Sequence, residues 1–194
     1  MGIVLASRSP RRLDILKMIG LNDFRVIPDT SDEEMIPSLS PEQTVCSIAL
    51  AKAKNVSLLC NEDDIIIAAD TLVYLDQRPL GKPVSPEDAM VMLGELSGRC
   101  HTVYTGVALL KRGIHITAAE KTDVYFRELL DSEISAYVKT DEPMDKAGAY
   151  AAQGRGAVFI ERIEGDFFNV IGLPVCRLVK MLGEFGIEGW ENGR

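Results

Sequence analysis

Two arginines near the N-terminus stand where positive charge does not favour a helix. The segment LASRSPRR (Leu5–Arg12) contains Ser9, a good helix cap, and Pro10, which suits a first helical position. Arg11 and Arg12 then fall in the first turn, where backbone N–H groups and the helix dipole already carry positive charge. Either both side chains are solvated, or they bind an anion such as phosphate together with those N–H groups. The segment alone leaves the two interpretations equally open.

A carboxylate follows an apolar run further along the chain. Ile65–Ala69 is continuously apolar, which is typical of a strand buried on both faces, and Asp70 comes directly after it. Ligands of open α/β sheets bind at the carboxyl ends of strands, so Asp70 at that edge could act as a base or a metal ligand. The alternative is a turn residue whose carboxylate accepts backbone N–H bonds. Because the sequence stays apolar after Asp70, the pattern favours the functional interpretation.

Other polar residues are weaker candidates when each is taken alone. Lys52 lies on the apolar helical face that includes Val45, so it either reaches water along its stem or points into a cleft. Glu33 in TSDEE and Lys82 in LGKP also suit exposed loops. Gln153 in AAQGRG presents one acceptor and two donors that can match the edge of uracil or thymine. A loop glutamine that faces water is the simpler interpretation of Gln153.

The elements that would position these residues alternate between strands and helices. Serine–proline pairs predict helix starts at Pro10, Pro41 and Pro86, and Asp131 is predicted to cap a helix that ends near Val138. The predicted strands cover 3–6, 65–69, 101–110, 115–126 and 157–163, and the predicted helices cover 10–19, 41–60, 86–97, 131–138 and a last segment from 173–174. This alternation, with some adjacent strands, predicts an α/β fold with a mixed sheet. No linker or repeat is evident, so we expect one domain over residues 1–194.

The composition excludes several kinds of partner and site. The 194 residues carry a formal charge of −8, which argues against nucleic acid or an anionic membrane as a partner. The 4 cysteines are far apart and there are only 2 histidines, so a zinc site is not expected, and reduced cysteines suit the cytoplasm. Glycine-rich phosphate and dinucleotide motifs are absent. The remaining cations, carboxylates and one amide suit phosphate-ester chemistry assisted by a divalent ion.

Six motifs of this chain occur in the order seen in Maf proteins, and the resemblance runs from about Ile3 to Leu182. They are LASRSPRR, AADTLV, GKP, LSGRCHTVYTGV, DKAGAYAAQG and NVIGLPV. Maf proteins are nucleotide pyrophosphatases that are also called septum-formation inhibitors. The resemblance implies a mixed twisted sheet flanked by helices, in an elongated two-lobed single domain with a deep central cleft. It also implies a cytoplasmic enzyme, a possibility of homodimers, and hydrolysis of nucleoside triphosphates to monophosphate and pyrophosphate with a divalent cation, Mg²⁺ or Mn²⁺.

The same resemblance assigns roles to residues of this chain. Asp70 would accept the proton of the attacking water and bind the metal, and Glu33 would assist with the metal or the water. The triphosphate would be held by hydroxyl and cationic side chains, namely Ser9, Arg11, Arg12, Lys52 and Lys82. Base specificity would depend on three residues, namely Arg11, Thr71 and Gln153.

The stretch AGAYAAQG resembles the branch of the family that acts on dTTP and UTP, whereas the 7-methyl-GTP branch has an acid where Gln153 stands. Two departures from the family pattern are Asp141, where glycine is frequent, and Ala151–Ala152, where glycine and isoleucine are usual. The alternatives are therefore a pyrophosphatase of 7-methyl-GTP or of modified nucleotides, and a nucleotide-sensing regulator of cell division.

Overall fold

The computed structural model describes residues 2–31 and 38–187. The helices are α1 (Pro10–Met18), α2 (Pro41–Ser57), α3 (Pro86–Leu96), α4 (Asp131–Val138), α5 (Phe167–Val170) and α6 (Val175–Glu184). The strands are β1 (Ile3–Leu5), β2 (Phe24–Val26), β3 (Ile65–Leu75), β4 (Arg78–Leu80), β5 (Cys100–Lys111), β6 (Ile114–Phe126) and β7 (Ile160–Glu164). Short 3₁₀ turns cover Glu142–Asp145, Ala147–Ala149 and Arg155–Phe159.

Over these described residues, seven strands form one mixed sheet. Its order is β2-β1-β3-β5-β6-β7, and β4 pairs with β3 beside this path. β1 runs parallel to β2 and β3, whereas the pairs β3–β4 and β6–β7 are antiparallel. The predicted α/β class with a mixed sheet and flanking helices is therefore confirmed.

The predicted helix starts at serine–proline pairs are confirmed for α1, α2 and α3. In α2, the Ser40 hydroxyl accepts the N–H of Gln43, and the Gln43 side chain accepts the N–H of Ser40 in return. In α3, the Ser85 hydroxyl accepts the N–H of Asp88. The cap of α4 was predicted one residue too late, because Leu130 precedes the helix and Asp131 is its first residue.

The prediction that Asp70 ends a strand is wrong. β3 continues to Leu75, because Val73 and Leu75 pair with β4 across an antiparallel turn. Asp70 nevertheless lies beyond the parallel pairing of β3 with β1, which stops at the pair Leu5 and Ile67. The last predicted strand was also placed too early, since 155–159 forms a 3₁₀ turn. β2, β4 and α5 were not predicted.

The chain divides into two compact units. Unit 1 comprises Met1–Asp70, Thr105–Glu120 and Gly172–Arg194, and unit 2 comprises Thr71–Tyr104 and Lys121–Ile171. That the whole chain acts as one domain stays a prediction. None of the helices in the described residues has both the length and the apolar character that a membrane span requires.

In unit 1, α2 packs very closely on the sheet. Ala49 and Ala53 of the helix are fully buried in a cluster with Ile66 of β3 and Ala108 of β5. A Cβ added at Gly106 of β5 would lie 2.3 Å from the carbonyl carbon of Val45. Because glycine has no side chain, the backbone of α2 at Val45 and Cys46 can lie directly against β5.

In unit 2, a buried histidine lies within an aromatic cluster. The His101 ring makes edge contacts with Phe126 and Tyr150, and its Nε2 lies 2.8 Å from the Tyr150 hydroxyl. Burial lowers the pKa of His101 from 6.5 to about 4, and the charge of Asp123 opposes this only in part. His101 is therefore neutral in the folded protein near pH 7 and contributes to packing.

We expect Gly106→Ala to lower the free energy of unfolding by about 1–3 kcal/mol, because the new methyl group meets helix backbone rather than a movable side chain. Gly94→Ala in α3 is the matched control, since nothing lies within 4 Å of a Cβ at that position. Alanine there should raise stability by roughly 0.5–1 kcal/mol. Urea unfolding of both variants measures the difference, and equal stability of Gly106→Ala and wild type would contradict the close packing.

The buried His101 predicts a loss of stability in acid. Between pH 6.5 and about 4 the unfolded chain binds a proton that the folded chain does not. The contribution of neutral His101 to the free energy of unfolding is therefore complete above the pKa of histidine in the unfolded chain. It is lost as the pH falls, by roughly 3 kcal/mol in total. His101→Gln should lose less unfolding free energy than wild type across this interval, whereas His115→Gln, at an exposed position, should behave like wild type. Identical pH profiles for wild type and His101→Gln would refute this expectation.

Candidate active site

The centre of the candidate site in unit 1 is a buried ion pair. The Lys52 Nζ of α2 donates to the Asp70 Oδ1 of β3 over 2.7 Å. The two side chains are only 14% and 6% exposed. Lys52 therefore leaves the apolar face of α2 to meet a carboxylate rather than bulk water. Each charge compensates the other where water does not.

The second oxygen of the same carboxylate has a different environment. Within the described residues, Asp70 Oδ2 is buried and makes no hydrogen bond. Buried carboxylate oxygens are almost always hydrogen-bonded, so an orphaned one indicates a place for water or a ligand. Oδ2 is thus the atom of this site that can accept a proton or bind a cation.

Arg12 fixes the backbone beside that carboxylate. Its Nη1 donates to the Ala69 carbonyl over 2.8 Å and to the Ser7 hydroxyl over 3.2 Å. Its Nε donates to the Gly172 carbonyl over 2.8 Å. These bonds connect α1 with β3 and with the segment before α6. A phosphate contact of Arg12 stays a prediction, and the geometry adds a structural role that the sequence did not indicate.

The start of α1 differs from the other serine–proline starts. The Ser9 side chain makes no capping hydrogen bond, and the first turn contains no acid. The Ser7 hydroxyl instead accepts the N–H of Ser9 over 3.1 Å. Arg11 is half-buried, and in the described part of the chain its guanidinium has no hydrogen bond or ion pair. This combination leaves N–H groups, a hydroxyl and a guanidinium for an anion.

The other predicted residues lie in unit 2 or outside the described residues. Thr71 is half-buried and follows Asp70 in β3. Lys82 and Gln153 are both exposed. The Gly81 carbonyl, next to Lys82, accepts the N–H of Gly148 over 3.0 Å, which joins that loop to the glycine-rich segment.

Glu33 lies outside the described residues. Among the residues that are described, no group of three or more histidine, cysteine, aspartate or glutamate side chains could hold a metal ion. Sequence reasoning also missed Ser7, and nothing in its local sequence distinguishes it from an ordinary loop serine. Its role depends on Arg12, which approaches it from α1.

The chain is similar in sequence to proteins of one family. A family model described as Maf-like protein matches residues 2–185. A protein of Moorella thermoacetica named dTTP/UTP pyrophosphatase is 48% identical over 190 residues, which is 97% of each chain. A protein of Bacillus cereus strain AH820 with the same name is 45% identical over 186 residues, 96% of each chain. Among solved structures, the Staphylococcus aureus Ham1 protein is 16% identical, with a TM-score of 0.45 over 94% of this chain and 98% of that one.

Proposed function

Since the chain belongs to the Maf-like protein family, we propose that it hydrolyses dTTP and UTP to the nucleoside monophosphate and pyrophosphate. The choice of dTTP and UTP as substrates is supported by the names of relatives that match nearly the whole chain. The observation that carries the chemistry is the buried Lys52–Asp70 pair with one unengaged carboxylate oxygen. On the family resemblance we also propose a cytoplasmic location and a homodimer.

Asp70 is proposed as the proton acceptor. Its Oδ2 takes a proton from a water molecule that attacks the α-phosphorus in line with the leaving group. The new phosphorus–oxygen bond forms as the bond from the α-phosphorus to the bridging oxygen breaks, and pyrophosphate leaves with that electron pair. Lys52 holds Oδ1, and Arg12 holds the preceding carbonyl, so the carboxylate keeps one orientation during the reaction.

A divalent cation, Mg²⁺ or Mn²⁺, fits the donor set of Asp70. Hard cations prefer carboxylate oxygens, and Mg²⁺ is usually held by one or two carboxylates together with phosphates of the substrate. Asp70 Oδ2 is such an oxygen, and Glu33 is proposed as the second ligand or as an aid to the water. When bound, the cation supplies Lewis-acid polarisation of the phosphoryl oxygens and neutralises developing charge.

The start of α1 is proposed as a phosphate site. Ser9, Arg11 and the first N–H groups of the helix offer donors that the protein itself does not use in the described residues. Lys52, Arg12 and Lys82 are proposed as further sources of positive charge for the triphosphate. For the base, Thr71 and Gln153 are proposed together with Arg11, and the Gln153 amide supplies the donor and acceptor that a uracil or thymine edge requires.

We expect Asp70→Asn to lower kcat about 10²–10⁴-fold, because the amide cannot accept the proton. Pyrophosphate release is measured from dTTP and UTP with Mg²⁺ or Mn²⁺, and circular dichroism checks the fold. Asp76→Asn, an exposed position in the β3–β4 turn, is the control and should keep wild-type activity. Full activity of Asp70→Asn, or orthophosphate as the first product, would overturn the assignment.

A panel of nucleoside triphosphates at equal concentration tests the substrate. We expect kcat/KM to be highest for dTTP and UTP, and lower for CTP, GTP, ATP and 7-methyl-GTP. Preference for 7-methyl-GTP would instead place the chain in the other branch of the family. Tight nucleotide binding without any pyrophosphate release would indicate a nucleotide-sensing regulator rather than an enzyme.

A further inference from the structure

A carboxylate in unit 2 holds the backbone just after Gln153. Glu142 Oε1 accepts the N–H of Arg155, and Glu142 Oε2 accepts the N–H of Gly156, each over 3.1 Å. These N–H groups open the 3₁₀ turn Arg155–Phe159. Both oxygens of one carboxylate are therefore committed to the end of the segment 151–156, which we call the glutamine loop.

A phenol holds the other end of the glutamine loop. The Tyr137 hydroxyl of α4 accepts the N–H of Ala151 over 3.0 Å. The same hydroxyl hydrogen-bonds to Glu142, so the phenol donates to the carboxylate. One connected pair of side chains thus fixes both ends of the loop, and Gln153 lies between the two fixed points.

The protonation states of the pair suit this arrangement. Burial raises the pKa of Glu142, but the hydrogen bonds from Tyr137, Arg155 and Gly156 outweigh it, so the pKa lies below its ordinary value. Burial and the neighbouring carboxylate raise the pKa of Tyr137. Glu142 is therefore an ionised acceptor and Tyr137 a neutral donor, and hydrogen bonds to an ionised group are roughly twice as strong as neutral ones.

The pair Glu142 and Tyr137, which we call the clamp, also explains the glycines that flank Arg155. A Cβ at Gly154 would lie 2.4 Å from Glu142 Oε1, and a Cβ at Gly156 would lie 2.8 Å from the Tyr137 hydroxyl. The φ of Gly154 is 179°, an extended value that any residue adopts. Space, rather than backbone conformation, requires glycine at Gly154, because Glu142 occupies the place of a side chain.

We propose that Glu142 and Tyr137 are positioning residues for base selection, because they fix the loop that presents the Gln153 amide to the pyrimidine. This inference rests on the proposed function and assigns part of its base specificity to residues that do not touch the base. The amide needs a defined orientation to distinguish uracil from cytosine, since the two bases exchange a donor and an acceptor at the same edge. A loop released from the clamp loses that orientation.

The test uses Glu142→Gln and Tyr137→Phe in the full chain. Glu142→Gln places an amide NH₂ against a backbone N–H, and Tyr137→Phe removes the bond to Ala151. For both variants we expect KM for UTP to rise about tenfold and the kcat/KM ratio of UTP over CTP to fall about tenfold. Because Asp70 is unaltered, kcat at saturating UTP should stay within about twofold.

Glu133→Gln is the matched control. Glu133 also belongs to unit 2, where it pairs with Arg127 and accepts the N–H of Leu130. Its substitution therefore weakens bonds comparable to those of Glu142, but outside the glutamine loop. We expect Glu133→Gln to lower thermal stability and to leave the UTP/CTP ratio unchanged. If Glu142→Gln behaves in the same way, its role is structural alone and the inference is overturned.

A second measurement separates positioning from general loosening. In a Gln153→Ala background, Glu142→Gln should change the UTP/CTP ratio less than about twofold, because the residue through which it acts is absent. An undiminished effect in that background would overturn the inference. If Glu142→Gln does not fold, Tyr137→Phe replaces it in the Gln153→Ala background, where it should likewise change the UTP/CTP ratio less than about twofold.

The wild type, assayed first, distinguishes the two possible failures. No pyrophosphate from any nucleotide overturns the proposed function and this inference with it. Pyrophosphate release by the wild type, with unchanged selectivity in both clamp variants, overturns the inference alone.

Discussion

The burial of one negative charge beside one positive charge is the constraint on which unit 1 depends. Asp70 lies within a strand whose neighbours are apolar, and a carboxylate there is costly unless a cation compensates it. Lys52 donates to that carboxylate from α2, the helix whose backbone lies almost against β5 at Gly106. The small residues of this helix–sheet contact and the ion pair thus belong to the same pair of packed elements, α2 and the sheet.

The N-terminal arginines, which are alike in sequence, have different surroundings. Arg12 reaches the carbonyl before Asp70 and the carbonyl of Gly172, so it connects three segments around the ion pair. Arg11 has no such acceptors among the described residues. Neighbouring residues of a helix point about 100° apart, which allows one to hold the protein and the other to meet a ligand. The unfavourable charge at the helix start is thus offset in part by protein carbonyl oxygens, without invoking an anion for both arginines.

Local features of the fold were predictable, and features that depend on distant partners were not. The serine–proline helix starts follow from neighbouring residues and are confirmed. The same local pattern could not reveal that the Ser9 side chain makes no cap bond, or that the Ser7 hydroxyl accepts from both the Ser9 N–H and Arg12. The length of β3 depends on pairing with β4, and the partners of Glu142 are backbone N–H groups in another segment, which no side-chain pattern encodes.

Two buried aspartates in unit 1 differ in hydrogen bonding rather than in burial, and this difference supports the role that we propose for Asp70. Asp64, just before β3, is as buried as Asp70, since 5% of the whole-residue surface is exposed in each case. Its oxygens accept the N–H groups of Gly2 and Asn61 and pair with Arg25, and these bonds outweigh burial and lower its pKa. Every strong interaction that Asp64 can make is made within the protein, so it stabilises the fold. Asp70 has Lys52 on one oxygen and, in the described residues, nothing on the other. Because buried carboxylate oxygens are almost always hydrogen-bonded, the contrast with Asp64 is the physical reason for proposing Asp70 Oδ2, rather than Asp64, as the proton acceptor.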